Sequence, residues 1–102
     1  MNSILNNHIG QINQLCRANG VGRLFAFGSA VSDKFNPEKS DLDFLVKVNE
    51  ADPLKKGRYL MNLWDSLGAL FNRKVDLLTP ESLRNPYLIK SIDRSKVLIY
   101  EQ

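Results

Sequence analysis

The 102 residues carry 14 lysines and arginines against 11 aspartates and glutamates, interspersed to a formal net charge of +3, which suits an acidic or phosphate-bearing ligand and excludes a basic nucleic-acid-binding tail. A chain of this length buries roughly two-thirds of its unfolded surface and is expected to form one domain, residues 1–102, without disulfides. Its one cysteine, Cys16, excludes an internal disulfide or a cysteine-based zinc site; with no membrane-length apolar run and no signal-peptide pattern after Met1-Asn2-Ser3, the expected setting is cytoplasmic.

In chain order, Ile4, Leu5, Ile9, Ile12, Leu15 and Cys16 recur at helical spacing and Asn19-Gly20 supplies a stop, which predicts one amphipathic helix of about four turns covering a sheet. In it, Cys16 falls on the apolar stripe and His8 toward the polar side. Arg23 to Phe27 reads as a short strand closed by Gly28, and Ser29 to Ser32 as one helical turn. A loop rich in Asp, Asn, Pro, Lys and Ser precedes a second strand, Leu42 to Val48. After Pro53, a broad stripe of Leu54, Leu60, Met61, Leu63, Trp64, Leu67, Leu70 and Phe71 predicts the main core helix. Lys74 to Thr79 reads as a third strand, Pro80 opens a short helical segment interrupted by Asn85-Pro86, and Lys96 to Tyr100 reads as a last strand. Arg84, Lys90, Arg94 and Lys96 form a basic, solvated face. This alternation predicts an α+β fold in which helices pack on a mixed sheet of about four strands.

Three aspartates break these apolar runs. Asp41 and Asp43 stand two apart at the start of the second strand and are expected to project from one face, with Leu42 and Phe44 on the other. Asp76, between Val75 and Leu77, repeats the pattern, so an adjacent strand would bring three carboxylates together. Carboxylates inside a sheet are costly unless paired or bound to a metal, and a hard divalent cation, Mg²⁺, relieves their repulsion. Magnesium is typically shared between one or two carboxylates and substrate phosphates, so a nucleotide is implied with it. Gly28-Ser29, at the end of a strand, offers the complementary half, with backbone able to approach a phosphate closely and a hydroxyl beside it. No nucleophilic triad is built around the single histidine, His8, or around Cys16.

Phe27-Gly28-Ser29, Ser40-Asp41-Leu42-Asp43-Phe44-Leu45-Val46 and Val75-Asp76-Leu77 resemble the motifs of the polymerase-β-like nucleotidyltransferase superfamily, specifically its minimal nucleotidyltransferase (MNT) branch. The similarity runs from about Val21 to the C-terminus. It implies the nucleotidyltransferase fold, a two-ion Mg²⁺ site on Asp41, Asp43 and Asp76, and ATP as substrate, held by Gly28, Ser29 and Ser40. It implies that Asp76 also favours deprotonation of the acceptor hydroxyl. Relatives of this branch act as antitoxins that move AMP from ATP onto a tyrosine of a HEPN-family toxin, so a HEPN partner is expected. Family members commonly carry arginine directly after Gly-Ser and again two residues later. Here Ala30 and Ser32 stand in those places, leaving Lys34 or Lys39 to supply a cation to the triphosphate.

Larger relatives complete the pocket with a second domain, so the acceptor side is expected from the partner or from a second copy of this chain. The competing expectations are a binding module that neutralises its partner without chemistry, and a transferase acting on RNA or a small hydroxylated molecule. Nucleic acid is not favoured as a ligand, and no membrane partner is expected.

Overall fold

The computed structural model describes residues 3–32, 36 and 39–102. Two short helices, α1 (Ser3–Asn6) and α2 (Ile9–Ala18), precede strand β1 (Val21–Phe27), and a 3₁₀ turn, Gly28–Val31, follows it. Strand β2 (Leu42–Val48), helix α3 (Pro53–Phe71) and strand β3 (Val75–Leu78) come next. A second 3₁₀ turn, Pro80–Ser82, leads through helix α4 (Pro86–Ser95) to strand β4 (Val97–Glu101). The strands form one mixed sheet in the order β3-β2-β1-β4. β1 pairs antiparallel with both β2 and β4, and β2 pairs parallel with β3 across the α3 crossover.

Period-two alternation divides the sheet into two apolar faces. Leu24, Ala26, Leu42, Phe44 and Val46 belong to the main core together with Ile12 and Cys16 of α2 and Leu63, Leu67 and Phe71 of α3. Phe27 and Leu45 belong to a smaller core with Ile92 of α4, flanked by Phe25, Leu78 and Leu83. By this alternation Asp43 and Asp76 share the second face with Leu45 and Leu78.

Helix ends follow their sequence signals. The Asp52 side chain accepts from the Leu54 amide, with Pro53 at the first helical position, and Asn72 ends α3 in the left-handed conformation. Asn85-Pro86 starts α4 and does not interrupt a helix: Asn85 Oδ1 accepts from the amides of Tyr87 and Leu88. The strands lie within three residues of their expected bounds, and β2 coincides with Leu42 to Val48.

Two further expectations fail. The first helix is broken at Asn7-His8, where asparagine and histidine are weak helix formers; the His8 amide donates three residues back to Leu5 O at 3.2 Å. The His8 ring is half-buried, edge-on to Phe71 at 5.1 Å and bonded through Nδ1 to Ile4 O at 2.8 Å. The stripe on α3 is also narrower than expected. Leu54, Met61 and Trp64 are 77%, 55% and 48% exposed, because the sheet and α2 cover only the arc through Leu63, Leu67 and Phe71.

Candidate active site

Strand register assembles the site at one end of the sheet. Phe27, the last residue of β1, pairs with Asp43, and Asp43 pairs in parallel with Asp76. Two carboxylates from neighbouring strands therefore meet beside Gly28. The Asp43 and Asp76 carboxyls stand on one face of the sheet, close enough to interact through a hydrogen bond. Burial, followed by that hydrogen bond and the charges of Asp76 and Asp41, pushes the Asp43 carboxyl up from 3.8 to about 6, against the opposing charge of Lys74.

Gly28 has φ of 68°, and a Cβ there would stand 2.9 Å from Asp43 Oδ2. Only glycine combines that backbone conformation with so close an approach of a carboxylate to the chain. The Ser29 hydroxyl reaches the Asp41 carbonyl at 3.4 Å, linking the turn to the start of β2. The Ser40 hydroxyl is engaged in its own loop, accepting from the Asn36 amide at 2.9 Å.

Asp41 acts on Asp43 through its charge but is not part of the strand pairing. It precedes the first residue of β2, so strand alternation does not fix it, and Lys74 Nζ lies 3.8 Å from its Oδ2. Among the described residues, no three His, Cys, Asp or Glu side chains stand close enough together to hold a metal ion. Asp43 and Asp76 are the directly paired members of the expected trio, and Asp41 stands half-exposed beside a lysine. Two acidic oxygen-donor groups in mutual repulsion still suit a magnesium ion, which needs only one or two protein carboxylates when phosphates complete its shell.

Sequence reading passes over Arg73 and Lys74. Leu42 N donates to Lys74 O at 3.2 Å, extending the parallel ladder one step before β3, and Arg73 Nη1 donates to Ser40 O at 3.1 Å. The chain that carries Asp41 is thereby tied to the start of β3. The available signal was a basic pair directly preceding Val75-Asp76. Of the arginine positions, residue 30 is a fully buried alanine and residue 32 an exposed serine. Lys34 lies outside the described residues, and Lys39 is exposed.

Residues 9–99 match the nucleotidyltransferase domain family. A protein of Methanocaldococcus jannaschii described as a candidate protein adenylyltransferase is 38% identical over 79 residues, which is 78% of this chain and 76% of the relative. The solved structure of a candidate minimal nucleotidyltransferase superposes with a TM-score of 0.67 at 27% identity, covering 92% of this chain and 91% of that one. A chain from the Shewanella oneidensis complex of a tri-AMPylated HEPN toxin with its MNT antitoxin shares the fold, with a TM-score of 0.59 at 18% identity over 96% of this chain and 73% of that one. The chain belongs to the nucleotidyltransferase domain family of enzymes.

Proposed function

We propose that this nucleotidyltransferase is a Mg²⁺-dependent protein adenylyltransferase that moves AMP from ATP to a hydroxyl, a tyrosine of a HEPN-type toxin, and so acts as that toxin's antitoxin. The observation that carries the reading is the in-register Asp43–Asp76 pair set against Gly28. The adenylyltransferase description of the Methanocaldococcus relative and the AMPylated toxin in the Shewanella complex support the reaction and the partner.

Asp43 and Asp76 would hold the metal, and Asp41 would join them on leaving Lys74; bound there, Mg²⁺ supplies charge neutralisation to the phosphates and the attacking oxygen. Gly28 and Ser29 present an open backbone and a hydroxyl to the triphosphate. The acceptor oxygen bonds to the α-phosphorus, the bond to the β-phosphate oxygen breaks, and pyrophosphate leaves. The hydroxyl proton passes toward Asp76. No protein nucleophile is needed, so the residues position the reactants and stabilise charge.

The test is incubation with ATP, Mg²⁺ and the product of the neighbouring gene, followed by intact-mass and peptide mapping. A mass increase of one AMP on a partner tyrosine, lost in Asp43→Asn and Asp76→Asn, is the expected result; an unmodified partner with full wild-type ATP and Mg²⁺ present would sink the proposal. Ala30 and Ser32 favour one second reading, a module that inhibits by occupancy alone. In that case an Asp43/Asp76 double variant neutralises the partner as well as the wild type does.

A further inference from the structure

Helix α3 carries a second apolar line beside its core-facing arc. Leu54, Met61 and Trp64 fall on it, all exposed, and so do Gly57 and Gly68, giving the 3- and 4-residue steps of a helix-packing seam. Neither glycine has a reason to be there within one copy. A glycine inside a helix is destabilising relative to alanine, and the positive-φ glycines are Gly20 and Gly28, not these. A Cβ at Gly57 would meet nothing within 4 Å, and one at Gly68 would make ordinary contact with Arg73 O at 3.8 Å. Empty space at Gly57 and room for a side chain at Gly68, on a largely exposed apolar line, fit close approach by another surface.

The flanking charges say which surface. Arg58 and Asp65 lie on one side of the seam, seven residues apart, and among the described residues neither takes part in a salt bridge. We infer that α3 packs antiparallel on α3 of a second copy of this chain, about a twofold axis near Met61. In that register Leu54 stands opposite Gly68 of the second copy, Trp64 opposite Gly57, and Arg58 opposite Asp65. Each contact is repeated by symmetry, as an isologous interface demands. A parallel arrangement sets Arg58 against Arg58 and Asp65 against Asp65, and wastes both glycines as gaps. One helix pair is smaller than the roughly 800 Å² per partner of a standard stable interface, so the dimer forms in the micromolar range.

Sedimentation velocity of the full chain, from low micromolar to near-millimolar concentration, tests this. The wild type is expected to pass from monomer to dimer. Arg58→Asp and Asp65→Arg should each weaken association about tenfold, and the swapped double variant should restore it, which general surface stickiness would not do. Gly57→Ala with Gly68→Ala should raise the melting temperature of the dilute monomer while weakening the dimer. A wild type that stays monomeric throughout, association indifferent to Arg58 and Asp65, or a melting temperature lowered by the two alanines would each overturn the inference.

Discussion

Asp43→Asn separates the cost of the site from its use. Asparagine keeps the shape of aspartate and removes the charge that burial, Asp76 and Asp41 oppose. The folded-state pKa of Asp43 is raised to about 6 from 3.8, so the folded protein holds this proton more tightly than the unfolded chain does. The resulting destabilisation is present in full above about pH 6 and fades as the pH falls toward 3.8. At about 1.36 kcal/mol per pH unit the span corresponds to roughly 3 kcal/mol. The side chain is only half-buried and solvent screens it, which leaves about 1 kcal/mol. For a domain of this size that is a melting-temperature rise of roughly 4–8 °C for the variant at pH 8, shrinking to nothing near pH 4. Thermal unfolding followed by circular dichroism across that range, with and without Mg²⁺, is the assay. Magnesium should stabilise the wild type and leave the variant unchanged, while AMP transfer falls by at least about 100-fold. A variant less stable than the wild type at pH 8, or a difference that does not shrink in acid, would refute the reasoning.

Other substitutions probe separate parts of the same frame. Gly28→Ala forces a side chain into a left-handed position 2.9 Å from Asp43 Oδ2; it should cost at least about 1–2 kcal/mol in denaturant unfolding and lower transfer further by displacing Asp43. Leu67→Ala removes a wholly buried side chain from the main core and should cost about 2–5 kcal/mol, read as a lower denaturant midpoint. Burial pushes the Cys16 thiol up to about 12, so a thiol reagent should leave the native protein unmodified at pH 8 and react only as fast as the chain opens. Ser32→Arg adds a cation at an exposed position on the turn after Gly28-Ser29. It should lower the KM for ATP with little change in melting temperature, and an unchanged KM would place the triphosphate elsewhere.

Where one periodicity governed a segment, the sequence was sufficient. Leu42 to Val48 is an apolar run that alternates at all but Leu45 and is β2 to the residue, and the hydrophobic-Asp-hydrophobic pattern of Val75-Asp76-Leu77 placed Asp76 in a strand. Long-range register and competition were less legible. That Asp43 and Asp76 are directly paired depends on the parallel pairing of β2 with β3, which no local pattern encodes. Local alternation also says little about Asp41, which stands one residue before β2 with Lys74 Nζ 3.8 Å from its Oδ2. The α3 stripe merged two lines, one facing the sheet and one facing outward, because apolar residues look alike whichever partner covers them. The break at Asn7-His8 lost to periodicity for a similar reason: Ile4, Leu5 and Ile9 keep helical spacing across a turn whose own residues do not favour a helix.

The strand order gives the site a direction. β3 is an edge strand, so Asp76 stands at the open side of the pair, while Gly28 and Ser29 close the other side at the end of β1. Under the proposed reading, nucleotide and acceptor therefore come from opposite sides, with Asp43 between them. An edge strand next to an open site invites pairing by another chain. Here the Trp64 indole donates to Val75 O at 2.7 Å, occupying a backbone acceptor that an added strand would use. Under the proposed reading, a protein acceptor would then offer a side chain to Asp76 and not a β-strand to β3.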